Sequence, residues 1–214
     1  MPPQPYLPTF AGKRYSVGFE ALKERPAFAE KVGQCIGIWS YVDNELGNLF
    51  GILITSDSEA AHRVFLVLRR WSHQQEALNA AAEGRLSGDE MATYKSLLTD
   101  YRSLEAQRND LAHGCFGICP DDEDLLFLIN VEHHVRWQAD ILPKHLKGIV
   151  PTDSHQGLKE KMYVYKMKDL EGLHAQMTQL WWDMFYFNGY LRDTKNPRRY
   201  AEFRKIFEER VQHQ

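Results

Sequence analysis

The stretch Pro26–Ile54, PAFAEKVGQCIGIWSYVDNELGNLFGILI, decides the fold of this chain. Its apolar residues return every three or four positions, which is the spacing of one helix face. They are Phe28, Val32, Cys35, Ile36, Trp39, Val42, Leu46, Leu49, Phe50 and Leu53. Proline suits the first turn of a helix, because its missing N–H needs no partner there. The pattern therefore predicts one long amphipathic helix over this stretch.

Two further helices are predicted between this stretch and Gly114. Ser56 and Ser87 each have a glutamate three residues later, which is the capping-box pattern that opens a helix. From these two starts, apolar residues at helical spacing continue to Gly84 and to Gly114, and glycine commonly follows the last turn of a helix. Short connections between long helices favour antiparallel packing. The sequence thus predicts three long antiparallel helices.

After Gly114 the pattern changes from helical to extended. CFGIC at 115–119 and LLFLINV at 125–131 flank an acidic turn and predict a β-hairpin. MYVYKM at 162–167 is rich in aromatic and β-branched residues and predicts a third strand. Residues 139–160 show no clear period, and we expect a loop there.

A fourth helix is predicted over 168–191, and a short last helix begins where Asn196 precedes Pro197, a cap followed by proline in the first turn. The fourth helix is apolar around nearly its whole circumference. Its aromatic cluster consists of Trp181, Trp182, Phe185, Tyr186 and Phe187. We interpret this cluster as buried core, packed against the sheet or a subunit partner, rather than as a platform on which nucleic-acid bases stack.

These patterns predict a mainly α fold, an antiparallel helical bundle with a small β insertion after the third helix. Residues 1–25 are predicted to form a proline-rich extended N-terminal arm. Residues 26–192 form the bundle, with the β and loop insertion at 115–167. Residues 193–214 form a short basic C-terminal helix.

The composition excludes several classes of protein. The 214 residues are 43% hydrophobic and 26% charged, which is typical of a folded globular chain, and the net charge is −3. The chain has neither an apolar run of membrane-spanning length nor a signal-peptide pattern, so we expect no membrane association. Three cysteines outside a secretory context are expected to be reduced, in a cytoplasmic protein. Since Gly-rich phosphate loops and zinc-protease motifs are missing from the sequence, we expect no cofactor.

One string at the end of the third predicted helix carries candidate chemistry: Arg108-Asn109-Asp110-Leu111-Ala112-His113-Gly114. Arg108 continues the apolar stripe of this helix, where an unpaired guanidinium is costly. A negative group must therefore meet it. That group is a carboxylate from the first helix, a partner subunit or a phosphate.

A polar line follows another side of the same predicted helix. Arg102, Asn109 and His113 are seven and four residues apart and therefore share one side. His113 falls in the last turn, where the negative end of the helix dipole favours the imidazolium. An imidazole at this position suits general acid–base chemistry.

At these residues the sequence resembles the HEPN superfamily of helical domains. The resemblance consists of Arg108-Asn109 followed by His113 at a helix end, together with a first helix that carries Trp39, Asp43 and Glu45 among its leucines. It implies a HEPN-like bundle over roughly residues 26–114 and 168–192. The β and loop insertion at 115–167 departs from the simplest four-helix members.

The resemblance also implies a function. Many HEPN members are metal-independent endoribonucleases of toxin–antitoxin, antiphage and RNA-processing systems, and they dimerise so that two motifs line one cleft. Others are non-catalytic binding modules. Cleavage of an RNA substrate by its own 2′-OH would use His113 as proton shuttle, Arg108 to stabilise phosphate charge and Asn109 to orient the phosphate or the imidazole. Asp43 or Glu45 would hold Arg108. A homodimer is expected, with an antitoxin or regulatory protein as a further partner.

Each of these residues also has a structural interpretation. Arg108 can form a buried ion pair, and His113 can simply cap the helix. Arg198 and Arg199 are candidate RNA contacts within a basic segment, but a solvated amphipathic helix explains them as well. His113, Cys115 and Cys119 lack the spacing of a zinc site, and packing on one strand face explains both cysteines. We therefore predict no metal ligand.

Overall fold

The computed structural model describes residues 16–54, 58–68, 70–148, 162–193 and 196–211. Over these residues the protein is mainly helical, with a small antiparallel sheet. The helices are α1 (Ala21–Glu24), α2 (Pro26–Ile54), α3 (Ser58–Val67), α4 (Trp71–Glu83), α5 (Gly88–His113), α6 (Val131–Leu146), α7 (Met167–Arg192) and α8 (Pro197–Val211). The strands are β1 (Ser16–Val17), β2 (Cys115–Cys119), β3 (Asp122–Ile129) and β4 (Met162–Tyr165).

The chain forms two compact units. The first comprises Met1–Ile36 and Glu105–Ala175 and contains the sheet, so we call it the sheet unit. The second comprises Gly37–Leu104 and Gln176–Gln214, and we call it the helical unit.

The sheet unit is built on four antiparallel strands in the order β1-β2-β3-β4. Phe116 pairs with Leu128 across β2 and β3, and Leu128 pairs with Tyr163 across β3 and β4. One face of the sheet forms a buried cluster, to which Trp137 of α6 and the half-buried Cys115 also pack. The cluster consists of Cys119, Leu125, Phe127, Ile129 and Met162. Both strand cysteines thus share one packed face, as predicted.

The helical unit is held together by aromatic and aliphatic side chains. Tyr101 of α5 lies between Trp39 and Trp71, with ring centroids 5.0 Å and 4.7 Å away. Phe203 of α8 stacks on Tyr190 of α7 at 4.1 Å. An ion pair of 2.8 Å between Arg204 and Asp89 adds a contact between α8 and α5.

The mainly α fold with a small β insertion is confirmed, as are most predicted elements. Helix α2 covers the predicted stretch, α5 ends one residue before Gly114, and α7 extends the prediction by one residue at each end. The oxygen Oδ1 of Asn196 accepts the backbone N–H groups of Arg198 at 3.1 Å and Arg199 at 3.4 Å. Asn196 therefore caps α8, as its position before proline predicts.

The prediction of one continuous second helix is wrong. The chain forms α3 and α4 instead, because Arg70 adopts an extended backbone (φ −95°, ψ 129°) from which α4 starts afresh. The side chain of Gln74 donates to the carbonyl oxygen of Phe65 at 3.4 Å and so satisfies an acceptor at the end of α3. The predicted cap at Ser56 lies outside the described residues.

The loop predicted at 139–160 is wrong over residues 139–146, because α6 continues through them to Leu146. The oxygen Oδ1 of Asn130 accepts the N–H of Glu132 at 2.9 Å and opens the helix. Ion pairs four residues apart, such as Lys144 with Asp140, add to its exposed side. The rest of the predicted loop, 149–160, lies outside the described residues.

The N-terminal arm predicted over 1–25 also needs correction. Residues 1–15 lie outside the described part, but Ser16–Val17 form β1 and Ala21–Glu24 form α1. The guanidinium of Arg25 donates to the carbonyl oxygen of Cys119 at 3.1 Å. The segment 16–25 is thus tied to the sheet, which has one strand more than predicted.

Among the residues that the structure describes, no helix combines the length and the apolar composition needed to cross a membrane.

Candidate functional site

The motif predicted from sequence forms the last turns of α5, within the sheet unit. Arg108 and Asn109 are half-buried there, whereas His113 is exposed. The N–H of Gly114 donates to the carbonyl oxygen of Asp110 at 2.8 Å, which closes the last turn. The imidazole therefore reaches solvent from an ordered helix end.

Gly114 follows the helix as predicted, but packing explains it. The described glycines with positive φ are Gly88 and Gly148, so residue 114 does not need the left-handed backbone for which glycine is usually chosen. A Cβ at this position would collide with Leu128 of β3 and lie 2.6 Å from the carbonyl oxygen of Asp110. Only glycine lets β3 approach the end of α5 this closely.

Asp110 lies within the motif, but its residue type and spacing did not predict a role for it. Burial raises the pKa of its carboxyl, and a hydrogen bond from the Asn130 side chain partly opposes that rise in pKa. Burial and the nearby charge of Asp110 also raise the pKa of Tyr165 on β4. Asn130 thus touches the motif through Asp110 and opens α6 through Glu132.

The signal for Asn130 was present in the sequence. An asparagine directly after an apolar run and two residues before a glutamate fits a helix cap. It was overlooked because LLFLINV was interpreted as one strand.

The two acidic residues predicted to hold Arg108 lie in the helical unit, and both have partners there. The hydroxyl of Tyr101 donates to Oδ1 of Asp43 at 2.8 Å. The amide of Asn188 donates to Oε2 of Glu45 at 2.8 Å and to its carbonyl oxygen at 2.9 Å, and Glu45 is buried. Their pairing with Arg108 stays a prediction.

The remaining predicted residues also lie in the helical unit. Arg102 is exposed on α5, where it lines a cavity of about 310 Å³ with Lys95 and residues of α4. Arg198 is exposed and pairs with Glu202 at 3.3 Å. Arg199 is half-buried, with its guanidinium carbon 5.7 Å from the centroid of the Phe185 ring. The two arginines of α8 therefore have different surroundings.

No family model, curated protein or solved structure matches this chain. The resemblance to the HEPN superfamily therefore depends on Arg108, Asn109 and His113 and on their helical context.

The described residues hold no cluster of three or more His, Cys, Asp or Glu side chains arranged to bind a metal ion. Cys115 and Cys119 both carry free thiols, and Cys119 is buried in the sheet core. His134 of α6 is half-buried and stands 5.9 Å from Trp137, and burial lowers its pKa. Packing accounts for these side chains.

The close approach of β3 to α5 predicts that Gly114→Ala destabilises the protein. The added methyl group must displace Leu128 or the end of the helix, and such overpacking costs about 1–3 kcal/mol. The matched control is Gly33→Ala in α2, where a Cβ meets nothing within 4 Å. Alanine there should stabilise the helix by about 0.5–1 kcal/mol. Urea unfolding measures both changes, and equal stability of the two variants would contradict this packing.

The raised pKa of Asp110 predicts a pH-dependent effect of Asp110→Asn. Because folding favours the protonated carboxyl, its contribution to stability is present at low pH and is lost as pH rises through the folded-state pKa. Asparagine stays neutral, so the variant should have a higher Tm than wild type at pH 7, and the gap should close towards pH ~4. Thermal unfolding followed by circular dichroism measures this gap. Asp124→Asn, at an exposed position of β3, is the control and should change Tm little at any pH. If the Tm difference between Asp110→Asn and wild type is the same at every pH, the raised pKa of Asp110 is contradicted.

Proposed function

We propose that this protein is a metal-independent endoribonuclease of the HEPN type, which cleaves RNA by attack of a 2′-hydroxyl on the adjacent phosphate. The observation that carries the proposal is the position of His113. It is exposed in the last turn of α5, five residues after Arg108 and four after Asn109. An exposed imidazole on the same helix end as a guanidinium and an amide supplies the groups that this chemistry needs.

In the proposed reaction, His113 accepts the proton of the 2′-hydroxyl as its oxygen bonds to phosphorus. The bond from phosphorus to the 5′-oxygen breaks, and the protonated imidazole returns its proton to that oxygen. The products are a 2′,3′-cyclic phosphate and a 5′-hydroxyl. Arg108 stabilises the charge that builds on the phosphate oxygens, and Asn109 orients the phosphate or the imidazole of His113. Asp43 or Glu45 holds the guanidinium.

Asp110 adds a structural element to this proposal. Its hydrogen bond with Asn130 links the third motif position to the start of α6. His113 lies three residues further along the same helix face, so fixing Asp110 also fixes the turn that carries the imidazole. A positioned acid–base group typically contributes 10²–10⁴-fold to a rate.

Assembly and cellular role belong to the same proposal. A homodimer would bring two motifs into one cleft. An antitoxin or regulatory protein would then control the activity, as expected for a cytoplasmic toxin or defence enzyme.

A non-catalytic binding module is the second candidate, and one observation favours it. Helix α3 exposes Val64, Leu66 and Val67 at 56%, 62% and 76% of their surface. Neighbouring exposed apolar side chains are typical of a surface that binds another protein. In this case α5 would serve only as a structural helix.

The test is RNA cleavage in EDTA by the wild type and by His113→Ala and Arg108→Ala variants. Each substitution should lower the cleavage rate at least ~10²-fold while circular dichroism shows an intact fold. Arg108→Lys keeps a charge and separates loss of chemistry from loss of folding. The control His73→Ala removes an exposed imidazole of α4 and should cleave normally.

The binding module predicts a different outcome. Wild-type protein would leave RNA intact, Arg108→Ala would lower Tm sharply by stranding a buried carboxylate, and His113→Ala would change little. That combination would overturn the nuclease proposal.

A further inference from the structure

The helical unit has a group of aromatic side chains on its surface, which we call the aromatic face. It consists of Tyr41 of α2 and Trp181, Trp182, Phe185 and Tyr186 of α7. Tyr41 is 61% exposed, Trp182 39% and Phe185 36%. Within this chain the prediction of a buried core therefore holds for Phe187, which is fully buried, but not for these exposed members, whose burial against a subunit partner stays a prediction.

The rings of the aromatic face support one another. Tyr41 meets Trp181 edge-on with 6.1 Å between ring centroids, and Trp181 lies 4.3 Å from Trp182. Trp182 is stacked on Tyr186 at 5.6 Å and 19°, and it stands nearly perpendicular to Phe185 at 5.8 Å. Because each ring is packed against another, the face is preformed and a ligand need not order it.

One arginine lies beside the aromatic face. The guanidinium of Arg199 lies over the ring of Phe185, and Nη1 would be 2.6 Å from a methyl group placed on Gly189. The absence of a side chain at residue 189 thus lets Arg199 lie along α7. Arg192, the last residue of α7, and Arg198, the second of α8, are both exposed.

We propose that the aromatic face binds single-stranded nucleic acid by base stacking, with Arg199 contacting a phosphate. Exposed aromatic rings beside a guanidinium group suit a single strand, because every base has a face to stack and every nucleotide carries a charge to pair.

This binding goes beyond the proposed cleavage. Stacking does not use the 2′-hydroxyl, so DNA and RNA single strands should both bind, whereas cleavage requires RNA. Each proposal can therefore fail without the other.

The experiment measures the binding of a fluorescently labelled single-stranded DNA of about 12 nucleotides, a length within the range of known single-strand sites. EDTA is present throughout. The wild type should bind the single strand more tightly than a duplex of the same sequence, and binding should quench tryptophan fluorescence. Trp182→Ala should weaken binding by about 5- to 150-fold, the range for loss of one stacked base. Trp182→Phe keeps a ring and should retain most of the affinity.

Further variants separate stacking from charge. Arg199→Gln should reduce the slope of log affinity against log salt by about 1, as expected for the loss of one phosphate contact. Phe19→Ala removes an aromatic ring that is 94% exposed in the sheet unit and should leave binding unchanged. His113→Ala should bind DNA like the wild type, whatever its effect on RNA cleavage.

Three results would overturn the proposal. The first is that the wild type fails to bind the oligonucleotide. The second is that Trp182→Ala binds it as tightly as the wild type. The third is that Phe19→Ala weakens binding as much as Trp182→Ala does. Light scattering tests the competing explanation, that the aromatic face is a subunit interface. In that case the wild type would be a dimer that does not bind DNA, and Trp182→Ala would be a monomer. Circular dichroism of each variant checks that folding is unchanged.

Discussion

Strand β3 packs so closely against the end of helix α5 that residue 114 has no room for a side chain. Leu128 makes this contact, and Asn130 lies two residues further along the chain, directly after the end of β3. Asn130 hydrogen-bonds to Asp110, which lies one helical turn before Gly114. The apolar contact and the polar one therefore fix the same turn of α5. The position of His113 depends on both.

This arrangement connects the sheet to the proposed chemistry. An imidazole that moves protons must be accessible, yet it must also be held in place, and exposed helix ends usually fray. In this protein β3 packs against the turn that carries His113, and α6 begins at the residue that binds Asp110. The β insertion therefore supports the site: it stiffens one end of α5 without covering the histidine.

The sequence predicted the long helices because their signals are local. A proline in the first turn, an asparagine cap at Asn196 and apolar residues at a period near 3.6 act within the helix itself. The division between α3 and α4 was missed because the extended backbone at Arg70 interrupts an apolar pattern that continues on both sides. Helix α6 was missed because the cap at Asn130 directly follows a buried strand, so the apolar run hid the change of period.

The candidate site was predictable only in part. Arg108, Asn109 and His113 stand out by residue type and spacing. The role of Asp110 depends on its hydrogen bond with Asn130, which is twenty residues away in sequence. The exposure of part of the aromatic cluster of α7 within this chain was not predicted, for a related reason. The pattern shows which helix is apolar all round, but not which side the neighbouring helices leave open, and Trp182 and Phe185 face that side. Contacts between distant segments are not encoded in a local period.

The most direct test of the central claim is the chemistry of the new RNA ends. Wild-type protein is incubated with RNA in EDTA, and the fragments are analysed by mass spectrometry. A 2′,3′-cyclic phosphate paired with a 5′-hydroxyl is the predicted result, and a 2′-deoxy nucleotide at the cleaved position should block it. Intact RNA, or fragments that end in a 3′-hydroxyl and a 5′-phosphate, would contradict the assignment of His113 as the proton shuttle.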